Sequence, residues 1–116
     1  MSRARAKGTR AESAVVEYLK QRGWVHAERR ALGGAKDRGD VAGIPGVVVE
    51  VKSAARLELA EWVREARVEA LNDNASVWFV VAKPVGRGNP ADWYAITTLR
   101  VMCDLLSEDE SGPVAS

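Results

Sequence analysis

Two carboxylates and an amine stand close together in this chain: Asp40, nine intervening residues, then Glu50-Val51-Lys52. Carboxylate oxygens suit hard divalent cations, and Mg2+ in particular binds through one or two of them, completed by water and phosphate. An ion held by Asp40 and Glu50 would polarise a phosphodiester, acidify a bound water and offset charge on the departing oxygen. Lys52 would add a compact positive charge beside the attacking water and the developing phosphorane. The same residues have an ordinary use as well. Asp40 can open a turn, and Glu50 and Lys52 can form the solvated side of a half-buried strand.

What positions the trio decides between these uses. Residues 47–51 read Val-Val-Val-Glu-Val and residues 43–46 read Gly-Ile-Pro-Gly, which predicts two strands about a tight turn. Side chains alternate along a strand, so Glu50 and Lys52 share one face and Val47, Val49 and Val51 the other. A turn centred on Pro45 sets Asp40 opposite Glu50, and a slip of one residue would part them. Upstream, Val15, Val16 and Leu19 recur at helical spacing between a cap at Gly8 or Thr9 and a stop at Gly23. Residues 24–30 alternate like a strand, with Trp24 expected in the core, and residues 31–39 form a glycine-containing loop that delivers Asp40.

Downstream, residues 57–71 form a predicted helix with a stripe of Leu59, Val63, Ala66 and Ala70 beside Trp62. Glu61, Glu65 and Glu69 recur every four residues and read as its solvated side. Residues 77–82, Val-Trp-Phe-Val-Val-Ala, suit a central strand buried on both faces. A loop over 83–90, a strand over 93–96 and a helix capped by Thr97 or Thr98 and running to Leu106 complete the order. The expected fold is α/β: a central mixed sheet flanked by helices, α-β-β-β-α-β-β-α, with the first three strands antiparallel and carrying the site.

The ordering of Lys7-Gly8 before a helix bearing Glu12, an arginine-ended strand, a glycine-containing loop, Asp40 and Glu50-Val51-Lys52 resembles the archaeal-type Holliday junction resolvases of the PD-(D/E)xK nuclease superfamily. Trp62, Glu65-Ala66, Glu69-Ala70, Lys83 and Trp93-Tyr94 look like small resolvase-like nucleases of bacteriophages that infect actinobacteria. The resemblance spans residues 7–99. It implies a restriction-endonuclease-like core, with Glu12, Asp40, Glu50 and Lys52 catalytic. Asp40, Glu50, Glu12 and the Val51 carbonyl would hold Mg2+, with Mn2+ able to substitute. Arg29 or Arg30 would be the family's basic residue before the loop. The implied activity is structure-specific cleavage of branched DNA, above all four-way junctions, by a homodimer leaving 5′-phosphates, as in recombination and repair. Alternatives are a relative cutting flaps, single strands or specific duplex sites, and a non-catalytic DNA-binding module. Two departures stand out. Leu32-Gly33-Gly34 replaces the family's Ser-Gly, and Gly39 stands where the superfamily's name places proline.

Composition sets further bounds. With 116 residues the chain is one domain, expected as a basic arm over 1–10, a nuclease domain over 11–106 and a frayed acidic tail over 107–116. A lone Cys103 forms no internal disulfide, and no apolar leader or long apolar run occurs, which predicts a cytoplasmic protein, in the host if phage-encoded. The net charge of +1 hides a division. Residues 1–38 hold ten Lys/Arg against four Asp/Glu, and residues 39–116 hold seven against twelve. A basic first third suits a polyanion, so Arg3, Arg5, Lys7, Arg10, Arg29, Arg30, Lys36 and Arg38 are the expected DNA contacts. With His26 the only histidine and no second His or Cys at ligand spacing, neither a zinc site nor Ser-His-Asp chemistry is expected.

Overall fold

The computed structural model describes residues 3–30 and 39–110, with side chains from residue 6 to residue 107. At its centre lies a pair of parallel strands, β3 (Val47–Lys52) and β4 (Val77–Ala82), joined by the crossover helix α2 (Leu59–Asn72). On one side β3 pairs antiparallel with β2 (Val41–Ala42), which pairs antiparallel with β1 (Glu28–Arg29). On the other, β4 pairs antiparallel with β5 (Tyr94–Ile96), giving the order β1-β2-β3-β4-β5. Helix α1 (Arg3–Gln21) precedes the sheet and helix α3 (Leu99–Glu110) follows it. The element order and the mixed sheet are those expected, and they are compatible with a restriction-endonuclease-like core.

Each central strand is β-branched because both of its faces are covered. On one face Val41, Val49, Val51 and Val81 pack against Ala11, Val15 and Val16 of α1, joined by Ala27 and Trp93. On the other, Val48, Trp78, Val80 and Ala82 pack against Trp62, Ala66 and Ala70 of α2 and Val101 of α3. Burying a valine such as Val48, Val49 or Val80 contributes roughly 1.5 kcal/mol or more relative to exposure. Helix α2 ends at Asn72, where Asn74 takes a positive φ of 53° and its N–H donates to the Leu71 carbonyl. Helix α3 starts as expected: the Thr98 hydroxyl accepts the Val101 N–H at 3.3 Å.

Several details differ from the sequence reading. Helix α1 begins at Arg3, six residues before the expected Thr9 cap, so residues 3–10 are helix rather than an arm. Gly8, the alternative expected cap, lies within the helix. The predicted strand over 24–30 shrinks to two residues, because Gly23 (φ +116°) turns the chain after α1. Trp24, on that turn, is 48 % exposed instead of buried. Trp93 is buried, and its indole N–H donates to the Arg87 carbonyl at 2.9 Å. Residues 107–110 continue α3 rather than belonging to the tail, while residues 111–116 lie outside the described residues. Among the described residues, no helix is long and apolar enough to cross a membrane.

Candidate metal centre

The β2–β3 register places Val41 across from Val49, which brings Asp40 opposite Glu50. Two backbone features fix that placement. Gly39 has φ +94°, and an added Cβ would lie 3.0 Å from Val48 Cγ1 and 3.2 Å from the Val49 carbonyl oxygen. Proline, locked near −65°, cannot take that conformation, so glycine before Asp40 is demanded by the turn itself. Gly43 (φ +90°) lies against the chain leaving α1, where a Cβ would overlap the His26 carbonyl oxygen. Asp40 is then held at both ends: its N–H donates to the Val49 carbonyl at 2.9 Å, and its Oδ2 accepts the Val51 N–H at 2.7 Å.

Glu50 and Lys52 follow Val48 onto the α2 face of the sheet. The Lys52 ammonium donates to both oxygens of Glu65 on α2, at 2.9 and 3.1 Å, and lies 3.2 Å from Glu50 Oε2. Glu50 is 4 % exposed, and its Oε1 is buried with no hydrogen-bond donor among the described residues. Glu69, one helical turn beyond Glu65, is 1 % exposed. One oxygen from each of Glu50, Glu65 and Glu69 lies within 4.8 Å of the others. Among the described residues this is the one set of three carboxylate, thiol or imidazole side chains so close together.

The electrostatics follow from this crowding. Burial, then hydrogen bonding to the Glu65 carboxyl, then the Asp40 charge push the Glu50 carboxyl far above the ordinary carboxylate range. Burial pulls the Lys52 ammonium down, but hydrogen bonding to Glu65 and the Glu50 charge outweigh it and hold Lys52 above its usual value. The site therefore favours positive charge, whether proton, ammonium or metal.

The remaining expected residues are distributed unevenly. Glu12 feels the Asp40 charge, which together with burial raises its carboxyl, yet its Oε1 is engaged by Arg29 Nε at 3.2 Å. Glu12 and Asp40 thus flank the three glutamates without joining their set. Arg30 points toward the end of α2, its guanidinium 3.5 Å from Asp73 Oδ2. Arg29 and Arg30 are accordingly engaged in intramolecular ion pairs. Lys7 and Arg10 are exposed on α1. Arg3 and Arg5 lie on the first turns of α1, and Lys36 and Arg38 lie outside the described residues.

Helix α2 supplies the residues that the sequence reading assigned to solvent. The row of acids at 61, 65 and 69 divides: Glu61 pairs with Arg64 on the outer side, while Glu65 and Glu69 turn toward the sheet. The signal was present in helical arithmetic. Position 69 is seven residues after Trp62 and three after Ala66, hence on the stripe that packs against the strands. Searches against protein-family models, curated proteins and solved structures give no match to this chain.

Proposed function

We propose that the chain is a divalent-metal-dependent DNA endonuclease acting on branched DNA, with four-way junctions as its foremost substrate. The observation that carries this reading is the gathering of Asp40, Glu50 and Lys52 on one face of the sheet, with a buried Glu50 oxygen that no donor among the described residues satisfies. A buried carboxylate oxygen without a donor is costly, and a hard cation supplies what it lacks. Mg2+ or Mn2+, held by Asp40 and Glu50 with Glu12 and the Val51 carbonyl nearby, would polarise the scissile phosphate and acidify a water. Lys52 keeps its proton and presents a positive charge to the phosphorane. The exposed Lys7 and Arg10, with the basic residues at 3, 5, 36 and 38, would hold backbone phosphates against the repulsion of the acids. Junction specificity and a symmetric pair of subunits rest on the resemblance in motif order.

The test incubates labelled four-way junction, flap and linear duplex with the protein, with and without Mg2+. Metal-dependent cutting of the junction ahead of the duplex is the expected result. Asp40→Asn and Glu50→Gln should each reduce cleavage on the order of a thousandfold while junction binding persists. Equal cutting of the linear duplex removes the junction preference, and a variant that cuts at the parent rate removes its residue from the site. Binding without cleavage under every metal condition marks a DNA-binding module instead.

A further inference from the structure

We infer that Glu50, Glu65 and Glu69 form a second hard divalent-cation site, built between β3 and α2 and guarded by Lys52. Two independent features meet there. The three carboxylates present oxygens within 4.8 Å of one another. Ligand oxygens on opposite sides of an ion are about 5 Å apart at Ca2+ distances and about 4 Å apart at Mg2+ distances, so one ion reaches all three after small side-chain rotations. Separately, the Glu50 side chain is more than nine-tenths buried, and the oxygen not facing Lys52 has no donor.

Charge sets the valence. With the Glu50 proton released on binding, the three carboxylates carry a formal −3, against which a divalent ion supplies more charge than the single ammonium of Lys52. The ligand set is all oxygen, without nitrogen or sulfur, which selects the Mg2+, Mn2+ and Ca2+ class over zinc or copper. Access runs along Glu65, whose side chain is 34 % exposed, whereas Glu50 and Glu69 form the buried floor. The ammonium of Lys52 lies between Glu50 Oε2 and the Glu65 carboxylate. A cation bound by Glu65 competes with it, and Lys52 then turns out of the seam toward the open end. The site shares Glu50 with the proposed nuclease centre. It rests on that reading only for what the released Lys52 would do, since cation binding itself needs no DNA.

The experiment titrates Mn2+ into the intact protein by calorimetry, with bound-ion counting by electron paramagnetic resonance. The variants are Glu65→Gln, Glu69→Gln, Asp40→Asn and, as an outward-facing control, Glu61→Gln. The expected result is a class of bound Mn2+ that weakens on the order of ten- to a hundredfold in Glu65→Gln and Glu69→Gln, while Asp40→Asn and Glu61→Gln keep it. Parent-like titration by folded Glu65→Gln overturns the inference, and so does a parent protein that binds no Mn2+. Should Glu69→Gln fail to fold, the partly exposed Glu65 decides alone. The two readings fail separately: a parent that binds Mn2+ through Glu65 yet cuts no DNA loses the nuclease proposal and keeps this site.

Discussion

The two faces of β3 are built on opposite principles although their residues alternate along one strand. Facing α1, Val49 and Val51 pack in an apolar cluster with Ala11, Val15 and Val16 of α1 and with Trp93. Facing α2, Val48 begins in the same manner, but Glu50 and Lys52 then meet Glu65 and Glu69. The dry face needs no partner to be satisfied, because apolar burial has no direction. Its neighbour is satisfied only when each charge has a counter-charge, so it carries conditional stability, open to protons, cations and ligands. The contrast shows how a small domain accommodates buried charge. One side of its central strand supplies the free energy that lets the other stay frustrated.

Three experiments break or sharpen this contrast. The largest effect belongs to the dry face: Val49→Glu places a carboxylate among α1 aliphatics. A loss of about 4 kcal/mol or more, a large share of the stability of a domain of this size, is expected in urea denaturation. Survival of that variant near parent stability would mean the face is wetter than it looks. Next comes the pH response of the polar face. The folded state keeps a proton on Glu50 at pH values where the unfolded chain, near its ordinary value of 4.5, has released it. The native state then binds more protons, so stability falls as pH rises through neutrality, by at most about 1.4 kcal/mol per unit. Lys52, raised above its ordinary 10.5, stays protonated in both states there and adds no slope. Thermal melts of parent and Glu50→Gln between pH 5 and 9 without metal should show a falling trend in the former and a flat line in the latter. Parallel lines would place the excess proton elsewhere. The smallest effect marks the edge of the dry face. Gly8 lies within α1 with no atom near a built Cβ, so Gly8→Ala should stabilise by roughly 0.5–1 kcal/mol, read from the denaturation midpoint. A loss instead would show that something packs against that turn.

Much of this arrangement was legible from residue order because strands obey short-range rules. The valine run, the glycines around Pro45 and the period of two were enough to set Asp40 across from Glu50. The continuous apolar run over residues 77–82 likewise announced a strand covered on both sides, and β4 occupies those residues. What escaped depended on how a whole helix is rotated. Acids at four-residue spacing read as solvated until the packing of Trp62, Ala66 and Ala70 sets the rotation of α2, and that rotation carries Glu69 inward. Trp24 escaped for a related reason. Its alternating neighbours mimic a strand, but the turn after Gly23 consumes the residues that would have paired.

One backbone hydrogen bond links the residue after β1 to the residue before β2. The Arg30 N–H donates to the Asp40 carbonyl at 2.9 Å, tying together the two ends of the stretch between them. Because closing a loop costs only slowly more as it lengthens, that stretch can be exchanged, shortened or extended while its anchor points stay put. A graft of foreign sequence between positions 30 and 39 would then leave Asp40 and Glu50 in register.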